Sequence, residues 1–573
     1  MKTYKAKWMM YTKKADFDGI AERFGMSPVT ARILRNRDLM EEEEIGRFLR
    51  ADLSEMYDPF LMKDVKKATD ILNVKINENK KIRIIGDYDA DGVCASVILY
   101  KGLTSLGASA DTDVPDRMTD GYGLNIRLVD AAKADGIDTI ITCDNGIAAC
   151  EAAEHAKQLG MTLIITDHHE PQDETPEADA VIDPKQKDCG YPFKELCGAG
   201  VAYKLMTAMG VNAELLRQLL KFAAFATICD IVKLQDENRI IAKNGLRLIN
   251  EDEAVLSGKD TPGYNKGLRA LIENTGLLNK KIRSYETGFI LGPCVNAGGR
   301  LGSAKTGIEL FLEEDTGRCT ELARELTDHN TERKSITETA TGRACEIIEK
   351  ECEDDVIVAY MPDCHEAVAG IVAGRIKDRF HRPAFVLTNA KDGTLKGSGR
   401  SIDEYNMFEE LKKCEDLLIR YGGHKKAAGL SIEKDKLKEF SDRINDNASL
   451  TQEDLTKKIW IDVPMYADYP TEKFIEELSA LEPFGEGNKK PIFADKGLTV
   501  EDVRLFGENQ NVLKMVLRTP RGKKAEAVKF INDRSVKLPQ KGDSIRITYY
   551  PEINEFGGFK RIQLKVDDFE FET

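Results

Sequence analysis

Three stretches of this chain end an apolar, β-branched run in a burst of acids or histidines. Ile82-Arg83-Ile84-Ile85 runs into Asp87, Asp89 and Asp91, Ile140-Ile141-Thr142 into Asp144, and Leu163-Ile164-Ile165 into Asp167-His168-His169. Segments with helical spacing of apolar residues lie between them, and this strand–helix–strand alternation predicts a parallel, doubly wound sheet. In such a sheet the carboxyl ends of all strands open on one edge. The three bursts are therefore expected to meet in space. Residues two apart in an extended segment point the same way, about 6.6 Å from one to the next, so Asp87, Asp89 and Asp91 are expected to crowd one face. Crowded carboxylates repel one another unless a cation sits among them. The constellation predicts a cluster of divalent metal ions.

A length of 573 residues with 42% hydrophobic content suffices for several globular cores. The net charge of −15 argues against a basic coat, but nucleic-acid binding needs only a local groove. No apolar stretch reaches the roughly eighteen residues needed to span a bilayer, and the segment before Phe17 carries no continuous apolar run; a cytoplasmic protein without membrane contact is expected. The 12 Cys include no C-x-x-C pair, which argues against a zinc ribbon and fits a reduced compartment. Cys143 directly precedes Asp144, and neighbours on a strand face opposite ways, so Cys143 is expected in the core if Asp144 enters the site. Cys229, before Asp230, is likewise read as a packed thiol.

Five zones follow from the patterning. Residues 1–75 are helical and charged, with Glu41 to Glu44 opening a helix that carries Ile45, Phe48 and Leu49, and read as an adaptor to the α/β core. Residues 76–302 form that α/β unit, with strands expected near 82–87, 111–114, 138–143, 161–166 and 179–183 and a segment, Phe222 to Ile228, leading into Asp230. Residues 303–353 read as one long charged helix, with Leu322, Leu326, Ile336, Ala340, Ala344 and Ile347 at near-helical spacing. A second α/β lobe is expected over 354–450. Over 456–573, alternating strands near 458–463, 512–517, 525–530 and 544–549 suggest a small β-barrel.

Oxygen donors with one or two imidazoles suit Mn²⁺ or Mg²⁺ better than zinc. A pair of such ions is a common device for in-line displacement at phosphorus. Between Ile371 and Arg400 stand Arg375, Lys377, Arg379, Arg382, Lys391, Lys396 and Arg400 against only Asp378 and Asp392, which suggests a phosphate track. In the last zone Lys514, Arg518, Arg521, Lys523 and Lys524 accompany Tyr549, Tyr550, Phe556 and Phe559, a mixture suited to following a single strand and stacking its bases.

Gly86-Asp87-Tyr88-Asp89-Ala90-Asp91-Gly92, Cys143-Asp144-Asn145-Gly146, Asp167-His168-His169 and the Asp230 of Thr227-Ile228-Cys229-Asp230 resemble the four ordered motifs of the DHH phosphoesterase superfamily. Asn296-Ala297-Gly298-Gly299-Arg300, Gly370-Ile371-Val372-Ala373-Gly374-Arg375, Gly397-Ser398-Gly399-Arg400-Ser401 and Gly422-Gly423-His424 resemble its DHH-associated second domain. Glu482-Pro483-Phe484-Gly485-Glu486-Gly487-Asn488 resembles the lead-in to the oligonucleotide-binding (OB) barrel of the superfamily's single-strand-specific exonucleases. Some members carry a His where this chain has Ile85.

The resemblance implies a parallel-sheet DHH domain joined by a long helix to a second α/β domain, then an OB-type barrel. It implies a 5′→3′ exonuclease on single-stranded DNA that releases 5′-mononucleotides in recombination and repair. A phosphodiesterase of short oligonucleotides or cyclic dinucleotides is the alternative, disfavoured because such substrates need no barrel. Two Mn²⁺ or Mg²⁺ ions are implied at Asp87, Asp89, Asp91, Asp144, His168 and Asp230, with Asp144 as the bridge and His169 against phosphate or metal. Arg117, Ser398 and Arg400 are implied at the 5′-terminal phosphate, Tyr122 at a narrow mouth, and Asn296, Arg300, Arg375 and His424 along the substrate. A monomer working with a single-stranded-DNA-binding protein and a helicase is expected.

Overall fold

The computed structural model describes residues 5–116, 121–255, 264–507, 510–531, 537–556 and 559–572. Five parallel strands form the first sheet, in the spatial order Ser109–Asp113, Lys81–Ile85, Thr139–Cys143, Thr162–Thr166 and Ala180–Ile182. Ile82, Ile84, Ile140, Ile141, Ile164 and Ile165 are fully buried, as a parallel sheet covered on both faces requires. Numbered along the chain, the strand order is 2-1-3-4-5, so its direction reverses between Lys81–Ile85 and Thr139–Cys143. The crevice at that switch point, outside the strand ends, is where ligands bind in open α/β sheets. The helix Ala90–Ser105 leaves this point and is buried almost all round, against the helices Gly198–Ala208 and Ala213–Cys229.

The expected single helix over 303–353 is two helices, Lys305–Leu312 and the 36-residue Thr316–Glu351. Asp315 caps the second by accepting the Arg318 N–H, which sets its start. At 1.5 Å per residue it is about 54 Å long. It is more than a spacer, because Cys319, Leu322, Ala323 and Leu326 pack in the first core while Ala340, Ala344, Cys345 and Ile348 pack in the second. The second lobe is a mixed five-stranded sheet in the order Leu418–His424, Ala427–Ile432, Leu395–Arg400, Ala384–Asn389 and Ile357–Tyr360, with the helix Glu366–Phe380 across one face.

The last zone closes on itself. Strands Phe493–Phe506, Val512–Arg518, Lys524–Phe530, Phe559–Phe571 and Ser544–Phe556 pair in that order, and the first also pairs with the last, giving a five-stranded OB-type barrel. The patterning missed Phe493–Phe506 and Phe559–Phe571. Both carry outward charges, and the first is broken by bulges near Asp495/Leu498 and Val500/Asp502 that interrupt its period.

The N-terminal segment divides: Met62, Val65, Ala68 and Leu72 pack in the α/β core as expected, but its earlier part does not. Its strand Lys7–Met10 pairs with Lys458–Ile461, and Ile33, Leu34, Ile45 and Phe48 complete the barrel's core rather than the α/β core. The junction is organised by Arg239, which is 1% exposed on the helix Asp236–Val255 of the α/β domain. Its guanidinium stacks on the Phe48 ring at 3.7 Å and donates to the carbonyl oxygens of Phe48 (2.7 Å), Leu481 (3.0 Å), Ala480 (3.2 Å) and Glu482 (3.0 Å). One side chain thus ties three chain segments together. Arg239→Met keeps the volume but leaves buried carbonyls without donors, each costing about 1–3 kcal/mol. It is expected to destabilise the protein by about 3 kcal/mol or more, read by calorimetry as a lowered Tm; an unchanged Tm would remove the residue from this role.

Candidate active site

The acids after the first strand converge through a turn, not through a pleat. The strand stops at Ile85, Asp89 is the N-cap of the helix Ala90–Ser105, and Asp91 lies in its first turn. Asp89 accepts the N–H groups of Asp91 (2.9 Å) and Gly92 (3.2 Å), the usual service of an acid at an N-cap. Asp91 is 1% exposed and accepts the N–H groups of Gly198 and Ala199, both at 2.7 Å, at the start of a second helix. Two glycines permit this packing. A Cβ on Gly92 would meet the Asp87 backbone at 2.5 Å, and one on Gly198 would meet the Asp144 Cβ at 2.6 Å.

Asp144 stands one residue past the third strand with φ 63°, a left-handed conformation uncommon outside glycine and enriched in Asp and Asn. That turn aims its carboxylate across the switch point. Cys143 points the other way, fully buried with its Sγ 3.5 Å from Ser96 Oγ, as expected. Asp230 caps the C-terminus of Ala213–Cys229. His168 Nε2 lies 3.0 Å from Asp144 Oδ1, 3.7 Å from Asp91 Oδ2 and 3.8 Å from Asp230 Oδ2.

Asp167, which the sequence reading left outside the ligand set, organises the two histidines. Its Oδ1 accepts the N–H groups of His168 (2.7 Å) and His169 (3.2 Å) and meets His169 Nδ1 at 2.7 Å, while Oδ2 accepts the Ile147 N–H at 2.9 Å. The signal was its place as the first member of Asp-His-His.

The charges are strongly coupled. Burial, with Asp89 adding to it, pushes Asp91 up to about 7. Burial and the surrounding carboxylates hold Asp144 and Asp230 well above the ordinary range. Burial, aided by His169, takes His168 down to about 3. At His169 burial works downward, yet the bond and charge of Asp167 prevail and raise it to about 9. Buried acids in this state lack positive charge.

A divalent cation fits this centre on geometry as well. Asp144 Oδ1 and His168 Nε2 are buried and close, yet neither has a hydrogen-bond partner among the described residues. Three groups offer ligand atoms within 4.8 Å of one another: Asp87, Asp89 and Asp144; Asp91, His168 and Asp230; and Asp144, His168 and His169. Asp144 belongs to two of them. The donors are carboxylates and imidazoles, a set that suits Mn²⁺ or Mg²⁺.

The other expected residues divide. Tyr122, half exposed, donates to the Asp144 carbonyl at 2.9 Å and stands edge-on to His169 at 5.7 Å. Arg117 lies outside the described residues. Asn296, expected at the substrate, instead uses its side-chain oxygen to accept the Ala90 N–H at 2.7 Å, because a helix start leaves orphan donors. Arg300 donates to the Ala367 carbonyl at 2.7 Å across to the second lobe. There Arg300, Ser398, Arg400 and Gly370 line a cavity of about 430 Å³, with Arg400 Nη1 3.2 Å from Ser398 Oγ. Arg375 is half-buried on the helix Glu366–Phe380, whereas exposed His424 ends its strand with Nδ1 accepting the Lys426 N–H at 3.3 Å and does not line the cavity.

Much of the expected basic track is neutralised. Lys377, Arg379, Arg382 and Lys396 pair with Asp378, Glu349, Asp355 and Glu366 at 2.6–2.8 Å, three of these acids standing outside the stretch where the charge was counted. In the barrel Lys514 and Lys524 pair with Glu526 and Glu501, each at 2.8 Å, and Arg518 also pairs with Glu501. Tyr549 is buried with its hydroxyl donating to the Met465 carbonyl at 2.9 Å, so it is core, while Phe559 is 73% exposed. The Phe556 side chain lies outside the described residues.

A doubly wound sheet with acids and histidines gathered at its switch point, together with an arginine-lined cavity where Arg300 of the first lobe meets the second, defines a metal-dependent phosphoesterase of the DHH type. Family models agree: the DHH family N-terminal domain matches residues 81–227, the DHHA1 domain 353–449 and the RecJ OB domain 461–568. The chain belongs to the RecJ family. It is 37% identical to the single-stranded-DNA-specific exonuclease RecJ of Bacillus subtilis (strain 168) over 98% of this chain and 71% of that protein, and 34% identical to the RecJ of Escherichia coli (strain K12) over 95% and 96%. Among solved structures it resembles RecJ of Thermus thermophilus in complex with Mn²⁺, with a TM-score of 0.82 and 27% identity over 98% of this chain and 79% of that one. A Mg²⁺ complex of the same protein gives 0.76 and 26% over 98% and 78%. Among the described residues no helix is long and apolar enough to cross a membrane.

Proposed function

We propose that this protein is a divalent-metal-dependent exonuclease that degrades single-stranded DNA from its 5′ end and releases 5′-mononucleotides, in cytoplasmic DNA recombination and repair. The observation that carries the reading is the approach of Asp144 Oδ1 and His168 Nε2 to 3.0 Å amid four further acids. In this reading residues 76–302 are catalytic, 354–450 hold the strand's end and 456–573 hold its continuation. Asp87, Asp89, Asp91, Asp144, His168 and Asp230 would hold two ions, with Asp144 able to serve both. Bound there, Mn²⁺ or Mg²⁺ supplies Lewis-acid polarisation of the phosphate and an acidified water.

The chain's own groups do the rest. His169, kept protonated by Asp167, offers positive charge and a proton to a phosphate oxygen. Tyr122 steadies the Asp144 turn through its carbonyl. Ser398 and Arg400, with Arg117 and Arg375, bind the 5′-terminal phosphate and the first linkages. The protein acts as a monomer, with a single-stranded-DNA-binding protein and a helicase supplying strands. Incubation with 5′- and 3′-labelled single strands tests the reading: with Mn²⁺ the 5′ label is expected to leave first, as a mononucleotide, whereas early loss of the 3′ label would sink it.

Mn²⁺ is expected to support more activity than Mg²⁺, and Zn²⁺ none, given the donor set; stimulation by Zn²⁺ would contradict this. Metal should also stabilise the fold, by about 2.7 kcal/mol at a hundredfold excess over Kd. Asp91 sits at about 7, above its ordinary 3.8, so in metal-free protein its contribution to stability is complete below the ordinary value and is lost as pH rises through about 7. The ion restores what ionisation costs and competes with the proton. The rise in Tm on adding Mn²⁺ should therefore be larger at pH 8 than at pH 6; equal shifts would show that these acids do not receive it.

A further inference from the structure

The cavity beside Arg400 does not end where a single terminal phosphate would. Ser398 and Arg400 face the helix Glu366–Phe380, since a Cβ on Gly370 would fall 2.8 Å from Ser398 Oγ and 2.9 Å from Arg400 Nη2. The strand register carries that face sideways. Ser398 lies opposite Gly429 and Gly429 opposite Gly422, while Lys396 lies opposite Ser431 and Ser431 opposite Arg420. Directly opposite residues of antiparallel strands share one face. At about 4.8 Å per strand the floor therefore runs about 10 Å beyond Ser398, out to the edge strand Leu418–His424. The cavity of about 430 Å³ follows it, lined by Gly429, Gly422 and Arg420 as well as by Ser398 and Arg400. That volume is in the range of a small organic ligand, more than one phosphate needs.

Its walls are cationic. Arg300, Lys396, Arg400 and Arg420 line it against one acid, Glu366, which Lys396 already engages at 2.7 Å. Arg420 is exposed and has no ion-pair partner among the described residues. The floor between Ser398 and Arg420 is bare. Neither Gly422 nor Gly429 has a left-handed φ, and a Cβ would meet nothing within 4 Å on Gly422 and only the Gly397 carbonyl oxygen, at 3.9 Å, on Gly429. The backbone does not require glycine at either position, and the space they leave is open to a ligand.

The arrangement also has a direction. One turn before Arg300 on the same helix, Asn296 accepts the Ala90 N–H between Asp89 and Asp91. The order across the two lobes is thus the acid cluster, Arg300, Ser398 with Arg400, and lastly Arg420. A strand whose first linkage lies at the acids and whose 5′-phosphate lies at Ser398 and Arg400 leaves the far end of the cavity to whatever extends from that phosphate. Cations without acids to satisfy them suit further phosphates there.

We propose that this cavity admits 5′-polyphosphorylated ends, with the α-phosphate at Ser398 and Arg400 and the β- and γ-phosphates crossing Gly429 and Gly422 to Arg420, an inference that rests on the 5′-end reading above. Hydrolysis of the first linkage then releases a nucleoside triphosphate. Water adds to the phosphorus, the P–O3′ bond breaks, the departing nucleotide takes a proton on O3′ and keeps its three phosphates, and the shortened strand carries an ordinary 5′-monophosphate. A strand begun from a nucleoside triphosphate thus needs no prior trimming.

The test measures kcat/KM for release of the first nucleotide from a 12-mer bearing either a 5′-monophosphate or a 5′-triphosphate, with free Mn²⁺ held equal. The wild type is expected to degrade both at comparable rates and to release the first residue of the second as a nucleoside triphosphate. Arg420→Ala should slow the triphosphorylated strand about tenfold, the worth of a charge-assisted contact, and leave the monophosphorylated one unchanged. Gly422→Val puts a β-branched residue on an edge strand where nothing obstructs its Cβ, and should have the same selective effect by filling the floor. Calorimetry without metal separates the subsite from catalysis: the wild type should bind inorganic tripolyphosphate, and both variants should bind it more weakly. Rejection of the triphosphorylated strand by the wild type, or a response to Arg420→Ala that is absent or equal on the two strands, overturns the extended site. Failure of the wild type to degrade even the monophosphorylated strand from its 5′ end overturns the exonuclease reading instead, and tripolyphosphate binding then decides the cavity by itself.

Discussion

Asp144→Asn is expected to reduce cleavage by at least about a thousandfold while leaving binding of a 5′-phosphorylated single strand close to wild type. The size follows from Asp144's membership of two of the three ligand groups. Removing a residue that merely supports a metal ligand costs about 10–100-fold, and a ligand shared between two ions must cost more. Asn is the informative substitution because Asp144 sits at φ 63°, a region that Asn enters more readily than Ala. Alanine would mix lost chemistry with backbone strain. Mn²⁺ titration should show weaker binding, and thermal unfolding of the metal-free variant should be unchanged or improved, since a raised carboxylate is replaced by a neutral group. Retention of a tenth of the activity would refute the two-ion assignment.

Arg400→Ala is expected to collapse the preference for 5′-phosphorylated over 5′-hydroxyl ends by about 10–100-fold, the worth of a charge-assisted contact of roughly 1.5–3 kcal/mol. Arg400 shares its cavity with Ser398, Arg300 and Gly370, and a Cβ on Gly370 would fall 2.9 Å from Arg400 Nη2, so the guanidinium is held in a tight seat. Lysine keeps the charge but not the planar fork, so Arg400→Lys should restore only part of the preference. The measurement is the ratio of initial rates on two strands of one sequence. An unchanged ratio in Arg400→Ala and in Arg117→Ala would mean that these arginines follow the backbone and do not read its end.

Deleting the barrel is a poorer experiment than its sequence suggests. Val463, Leu478, Leu513 and Ile547 share one core with Ile33, Leu34, Ile45 and Phe48, and the lead-in supplies three of the carbonyls that satisfy Arg239. Cutting the chain near 456 would strip the N-terminal helices of their packing. Nor is the catalytic side insulated, because the Leu234 N–H donates to the Glu486 carbonyl at 2.7 Å, four residues past Asp230. Substitutions on exposed faces, such as Phe559, separate binding from folding.

The α/β architecture and the gathering of acids and histidines at one sheet edge were legible in the chain because both rest on local signals. A buried parallel strand must be β-branched and apolar along its length, and an acid or histidine directly past its end has only the sheet's edge to face. That logic brings Asp144 and His168 to one edge, where they stand 3.0 Å apart, whereas Asp230 ends a helix and only the resemblance pointed to it. It misjudged how Asp89 and Asp91 converge, because a helix start and a pleat both bring nearby residues together and their spacing alone does not distinguish them. Pairings between distant segments left no such mark. The partners of Lys396 and Arg379, the four carbonyls around Arg239 and the seat of the N-terminal helices in the barrel depend on which surfaces meet. Hydrophobic burial is nondirectional, so the pattern says that Ile33 and Phe48 must be covered but not by what. The chemistry at the strand ends is written locally in the chain, whereas which charges remain free to meet a substrate is set only once the chain has folded, because neutralisation depends on distances between residues far apart in sequence.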